Sequence, residues 1–322
     1  LYLGPEQSYI DASLSAYLRS AVYGSDGLFD LYKLPLLFGL LSLVIQLPFS
    51  IAKDVRRRKA LRYGRRLKGP EMLTPREFTL RVEGDGIGIK ADGMKAMIRI
   101  PQRAEAQHMQ IIGDTGAGKT MIMLQILRQI KTRGDSAIVY DPAREFVRRF
   151  YDPKNGDVIL NPLDKRCPYW GPAEELRRRS EAKALAVSLF QPPQDKKGEF
   201  FIESPQKIFA FLMAYGPTPE ELVKWMSDPQ EIDRRLKGTE HAHLIDPRAH
   251  QQRAGVLGSL GLIADSLRLL PKKGEGNGEW SATEWAETRQ GWIFITSLPA
   301  EREALRPLQS LWIDLLVLRL LN

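Results

Sequence analysis

Residues 113 to 120 read Gly113-Asp114-Thr115-Gly116-Ala117-Gly118-Lys119-Thr120, and their types and spacing suit one kind of chemistry. Three glycines let a backbone wrap an anion with no Cβ in the way, and the N–H groups of a turn at a helix start converge on one spot. Lys119 offers a point charge to terminal phosphates, and Thr120 offers a hydroxyl to Mg²⁺. Together they predict a site for a nucleoside triphosphate with Mg²⁺.

Such a loop works only when a strand leads in and a helix leads out. Met109-Gln110-Ile111-Ile112 is strand-like, and Met121–Leu127 is apolar and free of glycine, as a helix should be. A second apolar strand, residues 136–142, ends in Asp141-Pro142. Ligands of open parallel sheets bind beyond the carboxyl ends of the strands, so Asp141 is expected beside the nucleotide. Two roles suit it there: a Mg²⁺-binding acid, or a structural or gating carboxylate. Further strand candidates lie at 78–82, 86–89, 97–100, 158–162 and 291–297. From about 170 to 280 helical stretches dominate (172–190, 203–214, 219–225, 248–270), and a last helix runs from Leu305. The pattern predicts an α/β domain interrupted by an all-α insertion. His241, His243, His250 and Cys167 match no zinc spacing, and Trp280, Trp285 and Trp292 read as packing at the seam between insertion and sheet.

Before the soluble part, residues 34–52 contain no charged side chain. As a helix they span ~28 Å, enough to cross the hydrocarbon core of a bilayer. Lys53, Arg56, Arg57, Arg58, Lys59, Arg62, Arg65, Arg66 and Lys68 follow, opposed within 53–68 only by Asp54. That surplus equals the net charge of +8, so the rest of the chain is charge-balanced. Bulk charge therefore gives no sign of nucleic-acid binding, whereas the flank predicts a transmembrane helix with Lys53 onward cytoplasmic and residues 1–33 outside. The single Cys167 excludes an internal disulfide. The chain opens on Leu1 and stops within an apolar helical pattern, and so reads as a fragment.

With these elements placed, the chain from about residue 34 resembles the type IV secretion coupling proteins, the TraD/TrwB-like inner-membrane ATPases of bacterial conjugation. Four pieces carry the likeness besides the phosphate loop: Arg103–Met109; Tyr140-Asp141-Pro142; Ile159-Leu160-Asn161-Pro162-Leu163-Asp164; and Ser281–Trp285 running through 291–297 to Leu305-Arg306-Pro307-Leu308. The resemblance implies a RecA-like P-loop domain binding ATP and Mg²⁺ through residues 113–120. It also implies a homo-oligomer, a hexamer, that moves single-stranded DNA and its relaxase to a type IV secretion channel at the inner membrane. The implied plan is a periplasmic segment (1–33), a transmembrane helix (34–52), a basic juxtamembrane segment (53–75), the nucleotide-binding domain (76–169 and 281–322) and the all-α domain (170–280). Lys196, Lys197, Lys272 and Lys273 lie in loops of that insertion, on the face expected to meet DNA or relaxase.

Two departures stand out. Arg144 occupies the position of a family glycine, which challenges the backbone geometry of that loop. The strand carrying the hydrolytic Asp-Glu pair does not occur through Asn322 and is expected after it. The alternatives are an ATP-binding membrane scaffold that does not hydrolyse, and an unrelated P-loop enzyme.

Overall fold

The computed structural model describes residues 12–23, 27–63, 73–90, 93, 97–190, 198–275 and 277–321. Arg65, Arg66, Lys68, Lys196, Lys197, Asn322 and residues 1–11 and 24–26 of the predicted outer segment lie outside the described residues. The chain divides into two compact units, 1–74 and 75–322.

The first unit holds α1 (Ala12–Tyr23) and α2 (Gly27–Tyr63). One stretch of α2, Tyr32–Arg62, is long and apolar enough to cross a membrane, with a mean hydropathy of 2.0 and none of its apolar window buried. Pro35 and Pro48 lie inside the helix, which runs on through both. Gln46, a polar residue in that apolar stretch, donates its amide to Ser42 Oγ at 2.9 Å.

The second unit is α/β. After α3 (Pro75–Arg81) comes a short antiparallel hairpin of β1 (Gly88–Ile89) and β2 (Ile98–Arg99), then α4 (Lys119–Arg133). Three parallel strands follow in the spatial order β3 (Ala137–Asp141), β5 (Trp292–Thr296), β4 (Val158–Leu160), with the short α5 (Val147–Phe150) between β3 and β4 in sequence. Between β4 and β5 run α6 (Arg179–Leu189), α7 (Phe200–Met213), α8 (Pro219–Ser227), α9 (Pro229–Leu236), α10 (His250–Leu267) and α11 (Ala282–Thr288). The last element, α12 (Arg302–Leu321), follows β5.

Alternation along the strands sorts the apolar residues to two sides. Val139, Ile159, Trp292 and Phe294 pack with Leu124 and Leu127 of α4 and with Val147 and Phe150. Leu160, Ile293 and Ile295 face the other way and join α6 to α10 and α12 in one continuous core. The helical segment is therefore inserted in sequence but not separate in packing. Its seam is held by Glu175, whose carboxylate accepts from Trp170 Nε1 (3.1 Å) and from the N–H groups of Ala282 (2.6 Å) and Thr283 (3.1 Å). Arg319 of α12 donates to the Glu175 carbonyl, to Thr283 Oγ1 and to Glu181, and the bond to Glu181 holds that carboxyl below the usual range. Trp285 and Trp292 are buried, and Trp280 packs against the helical core.

Two strand predictions need correction. Residues 78–81 belong to α3. The order Thr74-Pro75-Arg76-Glu77, a capping-box sequence with proline at the first helical position, is the local signal that outweighs the weak alternation. Met109–Ile112 joins no ladder among the described residues, and Ile112 is 82% exposed.

Candidate functional site

The phosphate loop is built by two left-handed glycines and the start of α4. Gly116 and Gly118 have φ of +81° and +88°, and a Cβ on either would meet only open space. Glycine is needed there for its backbone freedom, and the open space leaves room for an anion. Among the described residues neither donates a backbone hydrogen bond outside the loop. Lys119 opens the helix and curls back, its Nζ donating to the carbonyls of Gly113 (2.6 Å) and Asp114 (2.7 Å). Ala117 N–H closes the turn onto the Asp114 carbonyl at 3.1 Å, and Thr115 lies at the exposed tip. Thr120 is exposed on the first turn of α4. An ammonium, a hydroxyl and free N–H groups around an open turn are the donor set that a triphosphate with Mg²⁺ requires.

Packing fixes where this loop sits. The N–H of Gly134, itself left-handed, ends α4 on the Lys131 carbonyl, and the chain turns directly into β3. Helix and strand therefore run in opposite directions, and the start of α4 lies toward the carboxyl ends of the parallel strands. At the other end of α4, Lys131 donates to the fully buried Asp157 carboxylate at 2.6 Å and lies over the Trp292 ring. Asp157 also accepts from the N–H groups of Asp152 and Trp292, which ties helix to sheet.

Asp141 is at the carboxyl end of β3, as expected, but its carboxylate is already engaged. One oxygen accepts from Glu145 N–H (3.0 Å), the other from Phe146 and Val147 N–H (both 2.8 Å), and the residue is 2% exposed. This geometry fits the structural alternative and not a Mg²⁺ ligand. Arg144 adopts φ +55°, so the loop keeps the left-handed geometry a glycine would give, at the cost of strain. Its guanidinium reaches Glu301 at 3.4 Å. At the end of β4, Asp164 takes both arms of Arg166 (2.9 and 2.8 Å), which holds its carboxyl below the usual range. Asn161 donates to Thr296 Oγ1 at 3.3 Å, joining the ends of β4 and β5. Cys167 is buried, and burial pushes its thiol up to about 12, so it is no nucleophile at neutral pH.

Residues 94–322 match the family model of the type IV secretion-system coupling protein DNA-binding domain. The chain belongs to this family. It is 27% identical over 278 residues to the coupling protein TraD of Escherichia coli (strain K12), covering 81% of this chain and 38% of TraD. Among solved structures it is similar to the bacterial conjugative coupling protein TrwBdeltaN70 in its unbound monoclinic form, at 22% identity and a TM-score of 0.67, covering 80% of this chain and 60% of that one. It is equally similar to TrwB in complex with ADP and Mg²⁺, at 22% identity and a TM-score of 0.66, covering 80% of this chain and 62% of that one. The chain thus spans well under half of TraD and about three fifths of TrwB. The TrwB likeness bears on the fold: an α/β P-loop domain with an all-α insertion.

Coupling-protein motifs explain the loop and strand ends but not every residue that holds the site. Gln125, Gln129 and Arg133 form a polar stripe at intervals of four along α4, a spacing readable in the sequence. Their partners, Gly88, Lys90 and Glu105, are distant in sequence and were not.

Proposed function

We propose that this chain is the membrane-anchored, ATP-binding part of a conjugative DNA-translocating coupling protein. The observation that carries the reading is the phosphate loop: two left-handed glycines with open N–H groups, placed by α4 at the carboxyl ends of a parallel sheet. When bound, Mg²⁺ and ATP supply the phosphoanhydride whose hydrolysis drives movement. Gly116 and Gly118 present N–H groups to the phosphates, Lys119 exchanges its two carbonyl partners for phosphate oxygens, and Thr120 offers its hydroxyl to Mg²⁺. Residues 34–52 anchor the chain in the inner membrane, and the basic residues after them keep the nucleotide domain cytoplasmic.

DNA contact in this reading comes from a ring of subunits, where a few cations from each copy add up on a shared channel. Lys272 is exposed and offers such a cation, whereas Lys273 lies near Glu174 (3.6 Å) and Glu279 (3.9 Å) and is locally neutralised. A second reading is an ATP-binding scaffold that does not hydrolyse; Asp141, with both oxygens taken, does not stand in for the hydrolytic Asp-Glu pair on which the choice turns.

The test uses the full-length protein in nanodiscs. Lys119→Ala should lower ATP affinity on the order of 100-fold by calorimetry, because it removes the charge that meets the terminal phosphates. Unchanged affinity overturns the nucleotide site. ATP hydrolysis stimulated by single-stranded DNA supports the motor, and binding without hydrolysis supports the scaffold.

A further inference from the structure

α4 does more than start the phosphate loop. The N–H and C=O of Gly88 both go to one side chain: Gln129 Oε1 accepts at 2.9 Å and Gln129 Nε2 donates at 2.7 Å. Lys90 is held in the same way by Gln125, at 2.8 and 2.9 Å. One helical turn further on, Arg133 donates to both oxygens of Glu105 (3.0 and 2.8 Å), and Glu105 Oε1 accepts the N–H of Ile87 at 2.5 Å.

These contacts form a ladder with matched spacing. Residues four apart on a helix rise ~6 Å, and residues two apart on a strand rise ~6.7 Å. Gln125 and Gln129 therefore stand opposite Lys90 and Gly88, whose N–H and C=O point away from β2. A primary carboxamide carries an N–H donor and a C=O acceptor side by side, as a peptide does, so each glutamine stands in for one peptide of a neighbouring strand. A two-stranded ribbon alone is marginal in water, and here α4 serves as its third strand.

We propose that Gln125 and Gln129 are positioning residues for the phosphate loop: they lock the helix that begins at Lys119 to the β1–β2 hairpin, so that occupancy of the loop and order in the hairpin are coupled. This rests on the reading of residues 113–120 as a nucleotide site. The coupling is reciprocal, so hairpin and nucleotide bias one another through α4.

The test is hydrogen–deuterium exchange of the peptide covering 86–90, with and without Mg²⁺·ATP, in the full chain and in Gln125→Met/Gln129→Met. Methionine keeps the length of the side chain and removes both amide groups. In the parent chain ATP should slow exchange of the Gly88 and Lys90 amides several-fold. In the double variant exchange should be fast whether or not ATP is present, and ATP affinity should fall about 5- to 10-fold. A parent hairpin indifferent to bound ATP overturns the coupling, and that measurement requires no variant. A double variant with a looser hairpin but parental ATP affinity shows a purely structural ladder and also overturns it. A parent chain that binds no ATP sinks the nucleotide reading and this inference together.

Discussion

Two turns of this molecule present runs of backbone N–H groups, and they treat them in opposite ways. In residues 113–120 the N–H groups of Gly116 and Gly118 donate to no backbone carbonyl among the described residues, and the loop's charged side chain rests on its own carbonyls. In residues 144–147 the N–H groups of Glu145, Phe146 and Val147 all bond to the Asp141 carboxylate. In the proposed reading the first turn leaves its donors for an incoming anion. The second carries its own anion. A carboxylate at a strand's carboxyl end is therefore a poor guide to metal binding until the N–H groups around it are counted.

The sharpest way to break this contrast is Asp141→Ala. It leaves three buried or half-buried N–H groups unpaired, so a loss of about 3 kcal/mol is expected. For a unit the size of 75–322 that lowers the melting temperature by roughly 6–12 °C, measured by calorimetry, while ATP affinity changes little. An affinity loss as large as that of Lys119→Ala would mean that Asp141 belongs to the nucleotide site after all. Thr120→Ala should do the reverse. The melting temperature should hold, and binding should weaken about 10-fold in the presence of Mg²⁺ only, in keeping with a hydroxyl that ligates the metal. Equal weakening with and without Mg²⁺ would remove that role.

A smaller effect should follow from Arg144→Gly. Glycine accepts φ +55° without strain, and the contact given up to Glu301 is long, so a gain of about 0.5–1 kcal/mol is expected. A lower melting temperature in this variant would show that the Arg144–Glu301 pair outweighs the strain. The smallest effect concerns acid. The Asp164 carboxyl is held below its ordinary value by Arg166, so its stabilising share is complete above the ordinary carboxylate range and is lost as pH falls through the depressed value. Asp164→Asn should flatten the acid limb of stability against pH below about 4 and leave the neutral region alone. An unchanged acid limb would deny Asp164 that share.

What the sequence revealed, it revealed through local rules. The phosphate loop was legible because its glycines, lysine and threonine each meet a need fixed by backbone geometry. The three parallel strands were legible because β3, β4 and β5 are short apolar runs between breakers. The strand reading of 78–82 failed because a capping signal four residues upstream outweighed a weak alternation. The reading of 109–112 failed because an apolar run alone does not specify a strand partner. The engagement of Asp141 and the ladder of Gln125 and Gln129 are tertiary facts. The first depends on how the chain turns after Pro142, the second on residues 35 and 41 positions apart.

The central position of β5 has a consequence for how the chain assembles. Asn161 and Thr296, which join the ends of β4 and β5, are 135 residues apart, and β3 and β4 touch no strand but β5 among the described residues. During synthesis both outer strands leave the ribosome long before the strand they flank. The sheet has no middle until the helices between have been made and gathered. Closing so long a loop is slow, and in the interval two apolar strands stand with open edges. The helical insertion therefore sets the timing of sheet formation, and a chaperone that shields 137–160 until Trp292 emerges would be protecting the stage at which this chain is most exposed to aggregation.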